Sequence, residues 1–132
     1  MKNAVRYFSK SGHTKAIADA IAKGAGVEAF SVTDEPQLKE EVDVLFLGGA
    51  PYASVMAPEL KAYVNALTPD KVKKVILFGT SMFSLRTINA LRKTCEEKGI
   101  PVEQEHFHAS AKDFRDQLGN AAAFGKKYTI EA

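Results

Sequence analysis

Val42-Asp43-Val44-Leu45-Phe46-Leu47-Gly48-Gly49 is the run that decides the fold. Apart from Asp43 it holds only apolar residues and glycine. A strand with one wet face alternates apolar and polar residues. A strand covered on both faces does not, and such strands belong to parallel sheets packed between helices. Val75-Ile76-Leu77-Phe78-Gly79-Thr80 is a second run of the same kind. Working outward, runs rich in Val, Leu and Phe predict strands at Ala4–Phe8, Val27–Val32, Val42–Leu47, Val75–Phe78 and Val102–Phe107.

Helical spacing fills the intervals. Ala16, Ile17, Ala20 and Ile21 fall on one face, as do Leu60, Tyr63, Val64 and Leu67. Leu85, Ile88, Leu91 and Cys95 form a third set, and Phe114, Leu118, Ala121 and Ala122 a fourth. Gly24 and Gly99 stand where a left-handed cap is wanted, and Pro101 follows as a stop. Pro58 suits a first helical turn. Thr33–Glu41 is the poorest stretch, with room for one short helix around Gln37–Glu41. The order β-α-β-(α)-β-α-β-α-β-α, joined by right-handed crossovers, predicts a doubly wound α/β sheet.

Composition narrows the class. The chain has 132 residues, 45% of them hydrophobic, which suits one domain over 1–132 with a core of its own. A single cysteine, Cys95, excludes an intrachain disulfide and suits a reducing compartment. Met1–Tyr7 lacks a signal-peptide apolar stretch, and no apolar run approaches the ~20 residues of a membrane span. A soluble, cytoplasmic protein is expected. The net charge of +2 is scattered, and Lys71, Lys73 and Lys74 read as a solvated turn. No basic stripe interleaved with aromatics points to nucleic acid.

Ligands of open α/β sheets bind beyond the carboxyl ends of the strands, at the switch point. After the first strand comes Ser9-Lys10-Ser11-Gly12-His13-Thr14. Gly12 permits a tight bend, the following helix start offers amides and a favourable dipole, and Ser9, Ser11 and Thr14 add hydroxyls. A phosphate monoester suits this nest; the bland alternative is a Ser/Thr helix cap. The second loop is Gly48-Gly49-Ala50-Pro51-Tyr52-Ala53-Ser54, where the glycines let a flat ligand approach. Tyr52 either stacks on such a ligand or packs on the next helix. The third loop is Gly79-Thr80-Ser81-Met82-Phe83-Ser84. Its amides and hydroxyls suit a ring edge, with Met82 and Phe83 as apolar contacts. The same residues also read as a helix capped at Ser84 and stapled by Phe83.

Tyr-Phe-Ser-Lys-Ser-Gly-His-Thr, residues 7–14, resembles the FMN phosphate loop of flavodoxins, roughly (S/T)-x-(S/T)-G-x-T, with His13 where the family usually has Asn. The resemblance extends over the whole chain in the order and spacing of elements. It implies a three-layer α/β/α sandwich with a five-stranded parallel sheet ordered 2-1-3-4-5. It implies FMN across the ends of strands one, three and four. The cofactor contacts it implies are Ser9, Lys10, Ser11, Gly12, His13 and Thr14 for the phosphate. Ala50, Pro51, Tyr52 and Ala53, with Gly79, Thr80, Ser81, Met82 and Phe83, would serve the ring. Strand five reads as uninterrupted, as in the short-chain form. The second loop often carries a glycine whose peptide turns over on reduction; here the tip is Ala53-Ser54, so that device is expected to be missing.

Rival readings of such a sheet fail on the letters. A receiver domain needs carboxylates where Ser9 and Gly48 stand. A small phosphatase needs Cys and Arg in the first loop, whereas Cys95 lies on an apolar helix face. Walker A and G-x-G-x-x-G loops are missing. His106 and His108 lack a third ligand at sensible spacing, so no metal site is assigned. His13 pairs with phosphate if protonated, or supplies only its amide. No acid, base or nucleophile stands out in the loops, which favours an electron carrier over a catalyst. The expected partner is a redox protein or a small-molecule electron donor or acceptor. The alternatives are a small FMN-dependent NAD(P)H or quinone reductase, and a flavin-free binding module on the same fold.

Overall fold

The computed structural model describes residues 2–52, 55–82 and 84–129. Along the chain run β1 (Asn3–Tyr7), α1 (His13–Ala25), β2 (Ala29–Ser31), β3 (Val42–Gly49), β4 (Pro51–Tyr52), β5 (Val55–Met56), α2 (Pro58–Ala66), β6 (Val72–Ser81), α3 (Arg86–Glu97), β7 (Phe107–Ser110) and α4 (Leu118–Lys127), the last preceded by a 3-10 turn at Phe114–Gln117. The main sheet is parallel, in the order β2-β1-β3-β6-β7. Counting its five strands alone, that is 2-1-3-4-5, as expected. β4 and β5 form a separate antiparallel ribbon.

The unbroken runs have the anticipated cause. Leu45, Leu47, Val75 and Leu77 pack under α2 and α3 with Leu60, Val64, Ile88 and Leu91. Their neighbours Val44, Phe46, Ile76 and Phe78 point the other way, onto Ile17, Ile21, Ala121 and Phe124 of α1 and α4. Both faces are dry, so both parities of the strand are apolar. Each fully buried aliphatic contributes about 1.5–3 kcal/mol. On α1 the buried stripe is Ile17, Ala18, Ile21 and Ala22, with Ala16 and Ala20 half-buried, because the helix is wedged between sheet and α4.

Several expectations are corrected. The second strand shrinks from Val27–Val32 to Ala29–Ser31. No helix forms at Gln37–Glu41; the chain there is irregular with bends, and Leu38 packs against the core. Gly26, at φ 76°, caps α1 in place of Gly24. Gly24 instead lets α4 approach: a Cβ there would stand 1.8 Å from the Ala122 carbonyl oxygen. The fifth strand is interrupted. Val102 bridges Val75, but Phe107 lies opposite Phe78, so three steps along β6 match five on the outer strand. The polar segment Glu103–His106 bulges out, and Arg92 of α3 donates to the carbonyls of Glu103 (2.9 Å) and Gln104 (3.2 Å). The lysine cluster is engaged: Lys73 pairs with Asp43 and Lys74 with Glu103. Among the described residues no helix is long and apolar enough to cross a membrane.

Candidate functional site

The parallel register brings the carboxyl ends of β1, β3 and β6 side by side, with Tyr7 beside Gly48 and Gly49 beside Gly79. A cleft of about 430 Å³ opens there, lined by Ser11, His13, Ala50, Pro51, Thr80, Ser81, Met82, Ser84 and Ala111. All three expected loops therefore contribute to one concavity, and its size falls in the usual range for small-ligand sites.

Gly12 is the N-cap of α1 at φ 92°, a backbone angle that L side chains rarely adopt, and nothing crowds its missing Cβ. The helix ladder begins with the Ala16 N–H on the Gly12 carbonyl at 3.0 Å, so the amides of His13, Thr14 and Lys15 have no place in it. No acidic residue sits in this first turn. The capping alternative is resolved in detail. The cap residue itself has no side chain, while Ser9 Oγ accepts the Gly12 N–H at 3.0 Å and Ser11 Oγ the His13 N–H at 3.4 Å. A hydroxyl used as acceptor keeps its hydrogen to donate. The loop thus presents hydroxyl hydrogens at a helix N-terminus, a donor set that fits a phosphate.

Thr14 is placed less simply than the sequence suggests. Its hydroxyl is 1% exposed and meets the Thr80 hydroxyl, itself 2% exposed, at 2.6 Å. The pair uses one hydroxyl hydrogen and leaves the other to be donated elsewhere. The His13 ring lies against Phe114, centroids 4.5 Å apart, and forms part of the cleft wall. Lys10 is exposed; Lys15 is paired with Asp19 at 2.8 Å.

The second loop is more ordered than a loop. Gly48 and Gly49 belong to β3, and Pro51 and Tyr52 pair antiparallel with Met56 and Val55. Ala53 and Ser54 lie outside the described residues, as does the Tyr52 side chain. The glycines answer to packing in the protein itself. A Cβ on Gly48 would stand 2.4 Å from the Phe78 ring, and one on Gly49 2.6 Å from Leu60. In the third loop Gly79, Thr80 and Ser81 are the last residues of β6, and Met82 is half exposed. Phe83 lies outside the described residues. α3 starts at Arg86, later than the expected Ser84, whose Oγ accepts the Arg86 N–H at 3.1 Å.

His108, read from the sequence as a solvent-facing or hydrogen-bonded histidine outside any metal site, is hydrogen-bonded. Its Nε2 is 2.8 Å from Ser81 Oγ, across the β6–β7 boundary. Burial, followed by repulsion from His106, lowers its pKa below the ordinary 6.5. Only the alternation His106-Phe107-His108 at a strand end hinted at it. Cys95 is fully buried, and burial pushes its thiol up to about 11, so it is an inert core residue.

Strand order, crossover pattern and a cleft at the switch point define a doubly wound protein with its candidate site at the carboxyl edge of the sheet. The chain has the flavodoxin fold. It superposes on a flavodoxin from the domain Archaea with a TM-score of 0.79 at 22% identity, covering 98% of this chain and 96% of that one. Flavodoxin 1 from Bacillus cereus matches with a TM-score of 0.69 at 21% identity, over 98% of this chain and 99% of that one. The rubredoxin oxygen:oxidoreductase of Desulfovibrio gigas matches with a TM-score of 0.73 at 15% identity, over 99% of this chain but 37% of that one. No family model and no curated protein matches the sequence.

Proposed function

We propose that the chain binds FMN in this cleft and passes electrons through it. The observation that carries the reading is the convergence of a phosphate-type helix N-terminus with two apolar-and-hydroxyl walls. Ser9, Ser11, Thr14 and the amides after Gly12 would hold the phosphate. Ala50, Pro51, Tyr52, Thr80, Ser81 and Met82 would hold the ring. FMN supplies the redox chemistry, while the chain binds, orients and shields it. Among the described residues the lining contains no carboxylate; its His13 ring packs on Phe114, and His108, behind the lining, bonds Ser81. A carrier that exchanges electrons with a redox protein or a small-molecule donor or acceptor needs no acid or base there.

The test is a titration of the purified protein with FMN and with riboflavin, followed by flavin fluorescence. FMN is expected to bind at least about tenfold more tightly, since each hydrogen bond to a charged group is worth about 1.5–3 kcal/mol. Equal affinities would remove the phosphate nest, and failure to bind either flavin would remove the whole reading.

A further inference from the structure

The turn after β6 is held by a hydroxyl whose hydrogen bonds can be assigned by counting. Ser81 Oγ has one hydrogen to donate and two lone pairs to accept with. It faces three groups: the Ser84 carbonyl oxygen, the Ser84 N–H at 3.1 Å and His108 Nε2 at 2.8 Å. A carbonyl only accepts, so the hydroxyl hydrogen goes to Ser84. A backbone amide only donates, so it takes one lone pair. The remaining contact requires a hydrogen on His108 Nε2. Phe107 and Ala109 pack into the α1–α4 core, so the strand's alternation turns His108 to the opposite face, where the chain enters α3. Ser81, Met82 and Ser84 all line the cleft.

We infer that His108 is the positioning residue for the ring portion of the ligand: its Nε2–H holds Ser81, and Ser81 in turn holds the Ser84 backbone, both residues walling the cleft. The inference rests on the flavin reading and deepens it. The phosphate end is built by the loop after β1 with no part in this clamp. The two ends of the ligand therefore depend on separate sets of residues, and His108 belongs to the ring end although it is remote from both loops in sequence. A partly buried ring bonded through one nitrogen also has a fixed orientation, which is what a positioning role requires.

Ring-nitrogen NMR of the ligand-free protein reads the clamp directly. The expected neutral tautomer is Nε2–H, held more completely than in Ser81→Ala, where the ring should return towards the tautomer mixture of a free histidine; an Nδ1–H ring overturns the inference. Flavin titrations read the consequence. His108→Ala is expected to weaken FMN and riboflavin by the same factor, about three- to tenfold for one lost neutral hydrogen bond, leaving their ratio as in the wild type. His108→Gln, which keeps a donor, is expected to recover part of the loss. Adding Ser81→Ala to His108→Ala is expected to cost less than Ser81→Ala costs alone, since one of the three bonds of that hydroxyl is already lost. Unchanged riboflavin affinity in His108→Ala, or a loss confined to FMN, overturns the inference. If His108→Ala fails to fold, the tautomer and His108→Gln still decide. Wild-type protein that binds neither flavin overturns the flavin reading and this inference with it. Wild-type binding with unaffected variants overturns the inference alone.

Discussion

The buried pair of Thr14 and Thr80 separates a structural role from a ligand-binding one. The two hydroxyls are 2.6 Å apart on residues only 1% and 2% exposed, so a hydroxyl that loses its partner is poorly placed to find water. Thr14→Val keeps the shape and strands the Thr80 hydroxyl, at a cost of about 1–3 kcal/mol. For a domain of this size that corresponds to a fall of about 3–10 °C in Tm. Thr80→Val should cost a similar amount. The double variant leaves no stranded hydroxyl, so it should be clearly more stable than the sum of the single losses predicts. FMN affinity should divide differently. In Thr80→Val the Thr14 hydroxyl can still donate to a phosphate, so any loss should fall equally on FMN and riboflavin and leave their ratio at the wild-type value. In Thr14→Val that charge-assisted bond is gone, and binding should weaken by about tenfold or more. Urea unfolding of the ligand-free variants gives the first set of numbers and fluorescence titration the second. Additive stability losses would refute the buried pair. A Thr14→Val protein that binds FMN like the wild type would refute the placement of Thr14 at the phosphate.

Gly48→Ala pushes a methyl group to 2.4 Å from the Phe78 ring and 2.5 Å from the Phe78 carbonyl oxygen; a loss of about 1–3 kcal/mol or more is expected in urea unfolding. His108 titrates below its ordinary value of 6.5, so the folded state binds fewer protons than the unfolded chain just beneath that pH. Its contribution is complete above 6.5 and is lost as the pH falls; a stability-versus-pH curve over pH 7.5–5 should therefore be flatter in His108→Gln, and an identical slope would contradict the shift. Residues 48–55 and 79–84 contain no carboxylate, whereas Lys10 and Arg86 lie on or beside the loops. One charge at ~10 Å is worth about 1–2 kcal/mol at an effective dielectric near 20, before screening. Bound FMN should accordingly take up its two electrons at closely spaced potentials in a reductive titration, and two well-separated steps would contradict that account.

Legibility in the sequence followed burial. Val42–Leu47 and Val75–Phe78 were readable because both faces of each strand are dry, which removes polar residues from every position but Asp43, near the start of β3. Leu60, Tyr63, Val64 and Leu67 were readable because α2 has one buried stripe. Gly12 was readable because its bend is a local demand of the backbone. Boundaries set by partners were not. β6 runs on to Ser81 because β7 pairs with its last residues, and the bulge at Glu103–His106 exists because Arg92 can take its carbonyls. Gly24 reads as a helix stop until α4 is seen lying against it.

The amino-acid sequence by itself determined the layered α/β class, the strand-loop-helix motif at residues 7–14 and the three loops that come together at the cleft. Those are consequences of local geometry and of apolar period, which a chain carries without knowing its neighbours. The tertiary structure decided which side chains in those loops meet. Thr14 finds Thr80 across 66 residues of chain, and Ser81 finds His108 across 27. A hydroxyl's role depends on whether its hydrogen is already committed, and that is settled by partners which only the parallel register brings within 3 Å.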